Sequence, residues 1–300
     1  MAATVSTSAT LPFDSAFLQR LELLSLVSRR ALPGTGAGLR RAPTTGESVE
    51  FADFRTYAPG DDFRRVDWNA YARLGKLFLR VYVAEENATI SLFMDCSRSM
   101  AGGAPAKGDF ARRLATALAY IGLSNYDRVA VGVCREGFDR YLPPVAGRVA
   151  AGRVWRFLQE QPFQGGTDLA RALRGYAPHT RGPGVSIVLS DLLTTSDWRA
   201  GLTALRALRQ DVTLVQVLAP EELHPRVRGD VALIDEETGE RREVTVTAAA
   251  LKAYHARLAT YTEEVAAFCA SRGILFVQVS SDTRLEDVVL RLLRREGVVA

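Results

Sequence analysis

The stretch of sequence that decides the fold is residues 89–99, which read TISLFMDCSRS. Thr89–Met94 is an apolar run with the length of a buried β-strand, and Asp95, Ser97 and Ser99 follow it. Because side chains alternate along an extended chain, these three side chains point the same way. The stretch therefore predicts a strand that ends in a cluster of oxygen-bearing side chains.

Strands and helices alternate from Ala88 onward, which is typical of a doubly wound parallel sheet. Further strands are predicted at residues 129–134, 138–142, 185–189, 212–218 and 274–279. Helices are predicted at residues 109–124, 148–161, 168–176, 198–209 and 248–271, with a closing helix around residues 285–293. Residues 138–142 follow their neighbour too closely for a helical crossover, so they predict an antiparallel edge. The predicted fold class is α/β, with a Rossmann-like, mostly parallel sheet.

Three segments lie outside this alternation. Residues 14–30 carry apolar side chains at helical spacing, and a loop rich in Gly and Pro follows at residues 32–46. Residues 49–83 contain a turn at Pro59–Asp62 and a period-two strand at the end, and residues 221–246 predict an inserted hairpin. We therefore expect an N-terminal helix and β segment at residues 1–86 and an α/β domain at residues 87–300, with the hairpin at about 220–247.

Composition narrows the possible functions. The chain has 300 residues, of which 47% are hydrophobic and 24% charged, as in ordinary globular proteins. A net charge of +4, spread along the sequence, does not predict nucleic-acid binding. The three cysteines form neither a zinc nor a disulfide pattern, and no apolar run is long enough to span a bilayer. We expect a cytoplasmic protein without a membrane span.

Residues that follow the predicted strands are the first candidates for a site, because ligands of open α/β sheets bind beyond the carboxyl ends of the strands. Asp95, Ser97 and Ser99 follow the first strand of the sheet. Thr167 lies in a Gly-rich loop, and Asp191 follows the strand at residues 185–189. The five side chains are therefore predicted to meet at one edge of the sheet.

All five side chains offer oxygen, the donor that hard divalent cations prefer. The predicted metal is Mg²⁺, with Mn²⁺ or Ca²⁺ as alternatives, and two carboxylates roughly balance its charge. The hydroxyls of Ser97, Ser99 and Thr167 are neutral ligands, so the ion stays electrophilic toward an Asp or Glu carboxylate of a partner protein. This chemistry favours partner recognition over bond cleavage, and we predict no catalytic residue.

Two other interpretations of these five residues stay open, and a third possible function, an anion or nucleic-acid binder, would use the N-terminal arginines instead. In the first, Asp95, Thr167 and Asp191 cap helices, and the serines satisfy loop backbone. In the second, the same five residues serve a metal-dependent phosphoesterase or hydrolase. Phosphatases of the haloacid dehalogenase type place a general acid where this chain has Ser97, which argues against that chemistry.

The motif at residues 95–99, together with Thr167 and Asp191, resembles the full metal-ion-dependent adhesion motif of von Willebrand factor type A domains. The resemblance implies a von Willebrand factor type A-like sheet that binds magnesium through those residues.

Upstream, residues 55–68 read RTYAPGDDFRRVDW and continue to Ala72 and Arg73. This stretch resembles the signature of the bacterial domain-of-unknown-function family 58, in which it precedes a type A-like domain. The resemblance implies a co-chaperone or adaptor that works with a MoxR-type AAA ATPase. The predicted function is therefore a non-enzymatic, magnesium-dependent adaptor that binds an acidic side chain of its partner.

Overall fold

The computed structural model describes residues 11–27, 50–57, 66–83, 89–180, 182–194, 196–235 and 239–300. These residues form two compact units. One unit contains the first helix and everything from the third strand onward, and the other contains the first two strands with a short helix between them. The predicted turn at Pro59–Asp62 and the predicted loop at residues 32–46 lie outside the described residues.

The large unit is built on a six-stranded sheet with the order β10-β7-β6-β3-β4-β5. Its strands are β3 (Thr89–Asp95), β4 (Arg128–Cys134), β5 (Phe138–Val145), β6 (Gly184–Ser190), β7 (Gln210–Leu218) and β10 (Leu275–Ser280). Five of them are parallel, and β5 pairs antiparallel with β4 at one edge. The predicted mostly parallel sheet with one antiparallel edge is therefore confirmed.

Helices cover both faces of this sheet because the strands bury apolar side chains on both sides. In β3, Ile90, Leu92 and Met94 face one core, and Phe93 faces the other. The first core includes α1 (Ser15–Glu22), α3 (Lys107–Ser124), α4 (Ala151–Gln159) and the C-terminal helices α9 (Leu285–Asp287) and α10 (Leu293–Arg295), which a π-helical turn (Val288–Leu292) joins. The second core includes α5 (Leu169–Arg174), α6 (Trp198–Ala207) and α8 (Ala248–Ser271).

The order of the strands creates a crevice between β3 and β6. From β3 the chain continues through β4 to β5 on one side, then returns to place β6 on the other side of β3. The connections therefore leave β3 and β6 in opposite directions, which opens a crevice at the carboxyl ends of these two strands. Asp95 ends β3, and Asp191 directly follows β6.

The predicted hairpin is present as β8 (Gly229–Ile234) and β9 (Arg241–Val246), an antiparallel pair that forms a sheet of its own. It follows the short helix α7 (Pro220–Leu223) and precedes α8. Of its predicted polar turn, residues 237 and 238 lie outside the described residues.

The first helix is shorter than the predicted span of residues 14–30. It begins after Asp14, whose side chain accepts a hydrogen bond from Phe17 N at 2.7 Å, and it ends at Glu22. Past that point, Ser25 and Val27 hydrogen-bond to the backbone near the carboxyl end of the chain, with Ser25 N donating to Ala300 O at 3.1 Å. This pairing joins residues far apart in sequence, so local helical spacing could not reveal it.

The predicted domain at residues 1–86 also differs from the structure. Phe17 and Leu21 of α1 are buried in the core beneath α3, so this helix belongs to the unit with the large sheet. The smaller unit contains β1 (Glu50–Thr56), α2 (Trp68–Leu74) and β2 (Phe78–Val83). Asp67 caps α2 by accepting hydrogen bonds from Asn69 N and Ala70 N. Among the described residues, no helix has both the length and the apolar character of a membrane span.

We expect Gly201→Ala to destabilise the large unit. A Cβ atom on Gly201 of α6 would lie 2.6 Å from the backbone oxygen of Leu169 at the start of α5, and a backbone atom cannot rotate away. The energetic cost of such a clash is larger than the stabilisation that alanine brings through its higher helix propensity. The free energy of unfolding should therefore fall by about 1–2 kcal/mol. Urea unfolding followed by circular dichroism measures the change. Gly182→Ala is the matched control, because a Cβ atom there meets nothing within 4 Å.

Candidate metal centre

Three loops meet at the carboxyl ends of β3 and β6. The loop after β3 is joined to the loop before α5 by two backbone hydrogen bonds, from Gln164 N to Cys96 O and from Arg98 N to Gly165 O, each 3.0 Å long. The loop after β6 is joined to the same segment, because the hydroxyl of Thr194 donates to Thr167 O at 2.8 Å. The backbone itself therefore holds the predicted site residues together.

Asp95 lies at the centre of this arrangement and has no exposed surface. Its Oδ1 accepts a hydrogen bond from Ser97 N at 2.9 Å, and the hydroxyl of Thr167 lies 3.3 Å from the same oxygen. Its Oδ2 accepts from the hydroxyl of Ser190 at 2.6 Å. The carboxylate is thus oriented from both sides, and Ser190 is a contributor that the sequence prediction missed.

The two serines of the motif lie side by side. The hydroxyl oxygens of Ser97 and Ser99 are 3.0 Å apart, which is within hydrogen-bonding distance. Ser97 is buried, whereas Ser99 is partly exposed at the start of a short 3₁₀ turn (Arg98–Ala101). Four of the five predicted ligands therefore form one cluster of oxygen atoms that is open at Ser99.

Asp191, the fifth predicted ligand, is paired with a buried lysine. Its Oδ1 accepts from Leu193 N at 3.0 Å, and its Oδ2 lies 2.7 Å from Nζ of Lys107. The same ammonium lies 2.5 Å from Oε1 of Glu222 in α7. Lys107 has a relative side-chain exposure of only 1%, so it is an internal cation.

Sequence reasoning missed Lys107, although two signals point to it. Lysine is unusual in the first turn of a helix, because a cation there opposes the helix dipole. Lys107 also lies on the same face of α3 as the buried Phe110 and Leu114, at spacings of three and seven residues. A charge on a buried face at the unfavourable end of a helix indicates a specific partner.

Burial governs the ionisation of these groups. Burial, and after it the neighbouring carboxylate of Asp191, together raise the pKa of Asp95 to about 6. Burial lowers the pKa of Lys107, but the carboxylates of Asp191 and Glu222 raise it by more, so that the net shift is upward. The ammonium is therefore charged at neutral pH, and Asp95 is a carboxylate in an unfavourable environment.

Asp95, Thr167 and Asp191 are not the N-cap residues of the α-helices that follow them. Asp168, not Thr167, caps α5 by accepting from Arg171 N, and Asp197, not Asp191, caps α6. The residue before α3 is Ala106, so Asp95 does not cap that helix.

The donor set fits a hard divalent cation. The converging atoms are carboxylate and hydroxyl oxygens, which suit magnesium, and sulfur or imidazole donors are not part of the cluster. Across the described residues no group of three or more His, Cys, Asp and Glu side chains could hold a metal ion. A metal here would rely on hydroxyls for most of its protein ligands.

Cys96 is buried in the core, and burial raises its thiol pKa to about 12, so it does not supply a thiolate.

We expect Asp95→Asn to stabilise the protein when metal is chelated. The pKa of Asp95 in the folded state, about 6, exceeds the usual value of about 3.9. The free energy of unfolding of the wild type therefore falls as pH rises from about 4 to 6. At about pH 7.5, where the whole penalty acts, the variant should be more stable by about 1–3 kcal/mol in urea unfolding with EDTA.

The matched control is Asp168→Asn, which exchanges one good N-cap residue for another at an exposed position. It should not give this stabilisation at neutral pH. A lower stability of Asp95→Asn than of the wild type at about pH 7.5 would contradict the assignment of Asp95 as a strained carboxylate.

Comparison with models of protein families identifies the family of this chain. The family model described as "Protein of unknown function DUF58" matches residues 53–265. The uncharacterised proteins Mb1516 of Mycobacterium bovis and Rv1480 of Mycobacterium tuberculosis are each 27% identical over 296 residues, which covers 96% of this chain and 92% of theirs.

Among solved structures, BatB from Bacteroides thetaiotaomicron is similar with a TM-score of 0.46 and 16% identity, covering 70% of this chain and 97% of that one. An aerotolerance-related membrane protein from Bacteroides fragilis gives a TM-score of 0.44 and 15% identity, covering 70% of this chain and 98% of its own. The family match covers more than half of the sequence and confirms the family that residues 55–73 predict. This chain belongs to the family of proteins of unknown function DUF58.

Proposed function

We propose that this protein is a non-enzymatic, magnesium-dependent adaptor that binds an acidic side chain of a partner protein. In this proposal its large unit is a von Willebrand factor type A-like domain with a metal-ion-dependent adhesion site. The observation that carries the proposal is a cluster of oxygens around the oriented carboxylate of Asp95. The hydroxyl of Thr167 lies 3.3 Å from Asp95 Oδ1, which also accepts from Ser97 N, and the hydroxyls of Ser97 and Ser99 lie 3.0 Å apart.

Each residue has a defined part in the proposed site. The hydroxyls of Ser97, Ser99 and Thr167 would be direct ligands, and Asp95 and Asp191 would bind directly or through water. When bound, the magnesium ion supplies a Lewis-acidic position for an incoming carboxylate. Mn²⁺ and Ca²⁺ also prefer oxygen ligands and are alternative occupants.

The neutral ligands favour binding over catalysis. Because the three hydroxyls are neutral ligands, the ion would keep more Lewis acidity than with carboxylate ligands alone, so a partner carboxylate could bind at its open position. Ser97 occupies the position at which a phosphatase of the haloacid dehalogenase type needs a general acid, and its hydroxyl is only 3.0 Å from that of Ser99. Because a serine hydroxyl is a poor general acid, we assign Ser97 as a ligand of the proposed metal.

The proposed partner is a MoxR-type AAA ATPase in the cytoplasm, with this chain as a co-chaperone or adaptor for complex assembly. This part of the proposal rests on the family resemblance of residues 55–73 and on the family match over residues 53–265.

We expect the wild-type protein to bind magnesium and Thr167→Val to bind it at least about tenfold more weakly, as is typical when a ligand or its support is removed. Valine has nearly the shape of threonine but cannot coordinate. Isothermal titration calorimetry with MgCl₂ measures both affinities. Thr203→Val is the matched control, because that hydroxyl donates to Arg199 O on an exposed helix surface.

Equal magnesium affinities of Thr167→Val and the wild type would overturn the metal assignment. Turnover of phosphate esters or peptides with magnesium or manganese, abolished by Asp191→Ala, would instead support the hydrolase interpretation.

We also expect a complex with the MoxR-type ATPase of the same organism that depends on the metal. The purified ATPase should bind the immobilised wild type in magnesium and should be released by EDTA. It should not bind Thr167→Val, whereas Thr203→Val should behave as the wild type. Binding that EDTA and Thr167→Val leave unchanged would show that the partner contacts another surface.

A further inference from the structure

Lys107 is a charged group that the proposed site does not use as a ligand, and it lies in direct contact with that site. Its ammonium is held between Asp191 Oδ2 at 2.7 Å and Glu222 Oε1 at 2.5 Å, with almost no solvent exposure. Its backbone N donates to Gly102 O at 3.0 Å, which fixes the start of α3 beside the loop that carries Ser97 and Ser99.

Glu222 is fixed as firmly as the lysine. Its Oε2 accepts a hydrogen bond from Ala219 N at 2.7 Å, and its backbone oxygen accepts from the hydroxyl of Tyr254 at 2.7 Å. The acid therefore cannot follow the ammonium far, and the distance between the two charges is built into the fold. A buried ammonium is costly unless it is paired, and here two carboxylates compensate it.

The charges of this cluster have a specific balance. With Asp95 ionised, the carboxylates of Asp95, Asp191 and Glu222 and the ammonium of Lys107 carry a formal charge of −2. A bound divalent cation brings the cluster to zero. Without Lys107 the cluster would carry −3, and the metal-loaded site would remain negative and would repel a carboxylate.

We propose that Lys107 is a specificity-determining residue, a resident cation that competes with the metal for Asp191 and keeps the metal-loaded site neutral so that it accepts a partner's carboxylate. This inference rests on the proposed metal site. Lys107 weakens the affinity for the metal alone, and in exchange the loaded site binds an anion more strongly. Glu222 has the opposite effect on both: its negative charge strengthens the binding of the metal and weakens the binding of an anion to the loaded site, although Glu222 is not a metal ligand.

Two variants with opposite expected effects test this proposal. Glu222→Gln is nearly isosteric and removes one negative charge at a partly exposed position. Lys107→Met removes the ammonium and keeps the length of the side chain. Lys252→Met is the matched control, since it removes the same charge from an exposed position of α8. Calorimetry measures the magnesium affinity of each protein with and without sodium acetate, a carboxylate probe, at constant ionic strength.

We expect Lys107→Met to bind magnesium at least about tenfold more tightly than the wild type, and Glu222→Gln to bind it several-fold more weakly. Acetate should tighten magnesium binding by the wild type, should do so more in Glu222→Gln, and should have little effect in Lys107→Met. Lys252→Met should match the wild type in both measurements. A lysine with a purely structural role would change the unfolding temperature and neither affinity.

The outcomes separate this proposal from the one on which it rests. If the wild type binds magnesium and Glu222→Gln binds it with the same affinity and acetate response, Lys107 and Glu222 do not set the charge of the site and the inference is overturned. Glu222→Gln decides this even if Lys107→Met does not fold. If neither the wild type nor Lys107→Met binds magnesium, the metal site fails and both proposals fall. Binding by Lys107→Met alone would support competition for Asp191.

Discussion

The carboxylate of Asp95 is the group on which the arrangement of the site depends. It is fully buried at the end of the central strand β3, and its two oxygens accept hydrogen bonds from the loop after β3 and from Ser190 of β6. Each of these bonds reduces the cost of removing a charge from water. The raised pKa, about 6, indicates that the compensation is incomplete. Strongly perturbed pKa values of this kind cluster at functional sites.

The topology of the sheet explains why such a group occurs at this place. The strand order puts β3 beside β6, and the connections from these strands run to opposite faces. Helices therefore cannot cover the carboxyl ends of both strands, which is where the polar side chains of Asp95 and Asp191 lie. At the amino ends of the same strands, Gly184 packs closely against Thr89. A Cβ atom added to Gly184 would lie 2.5 Å from the backbone oxygen of Thr89. The crevice is thus confined to one edge of the sheet.

Much of this could be predicted from the sequence because it depends on local patterns. Buried parallel strands are continuous apolar runs, so β3, β6 and β7 could be located, and oxygen-bearing residues after them could be assigned to one edge. The pair of Lys107 and Asp191 joins residues 84 positions apart, and the bonds between Ser25 and Ala300 join the two ends of the chain. Periodicity does not encode contacts of this kind. The helical spacing past Glu22 was misleading because these long-range bonds outweigh local helix propensity.

The inserted hairpin is connected to the same centre through α8. Tyr254 and Tyr261 lie seven residues apart on this helix, so their side chains lie on one face. Tyr254 donates to Glu222 O, and Tyr261 donates to Leu192 O at 2.8 Å, directly after Asp191. One helix thus supports both the loop that carries Asp191 and the helix that carries Glu222. Because α8 begins two residues after β9, the hairpin continues directly into the element that fixes the distance between those charges.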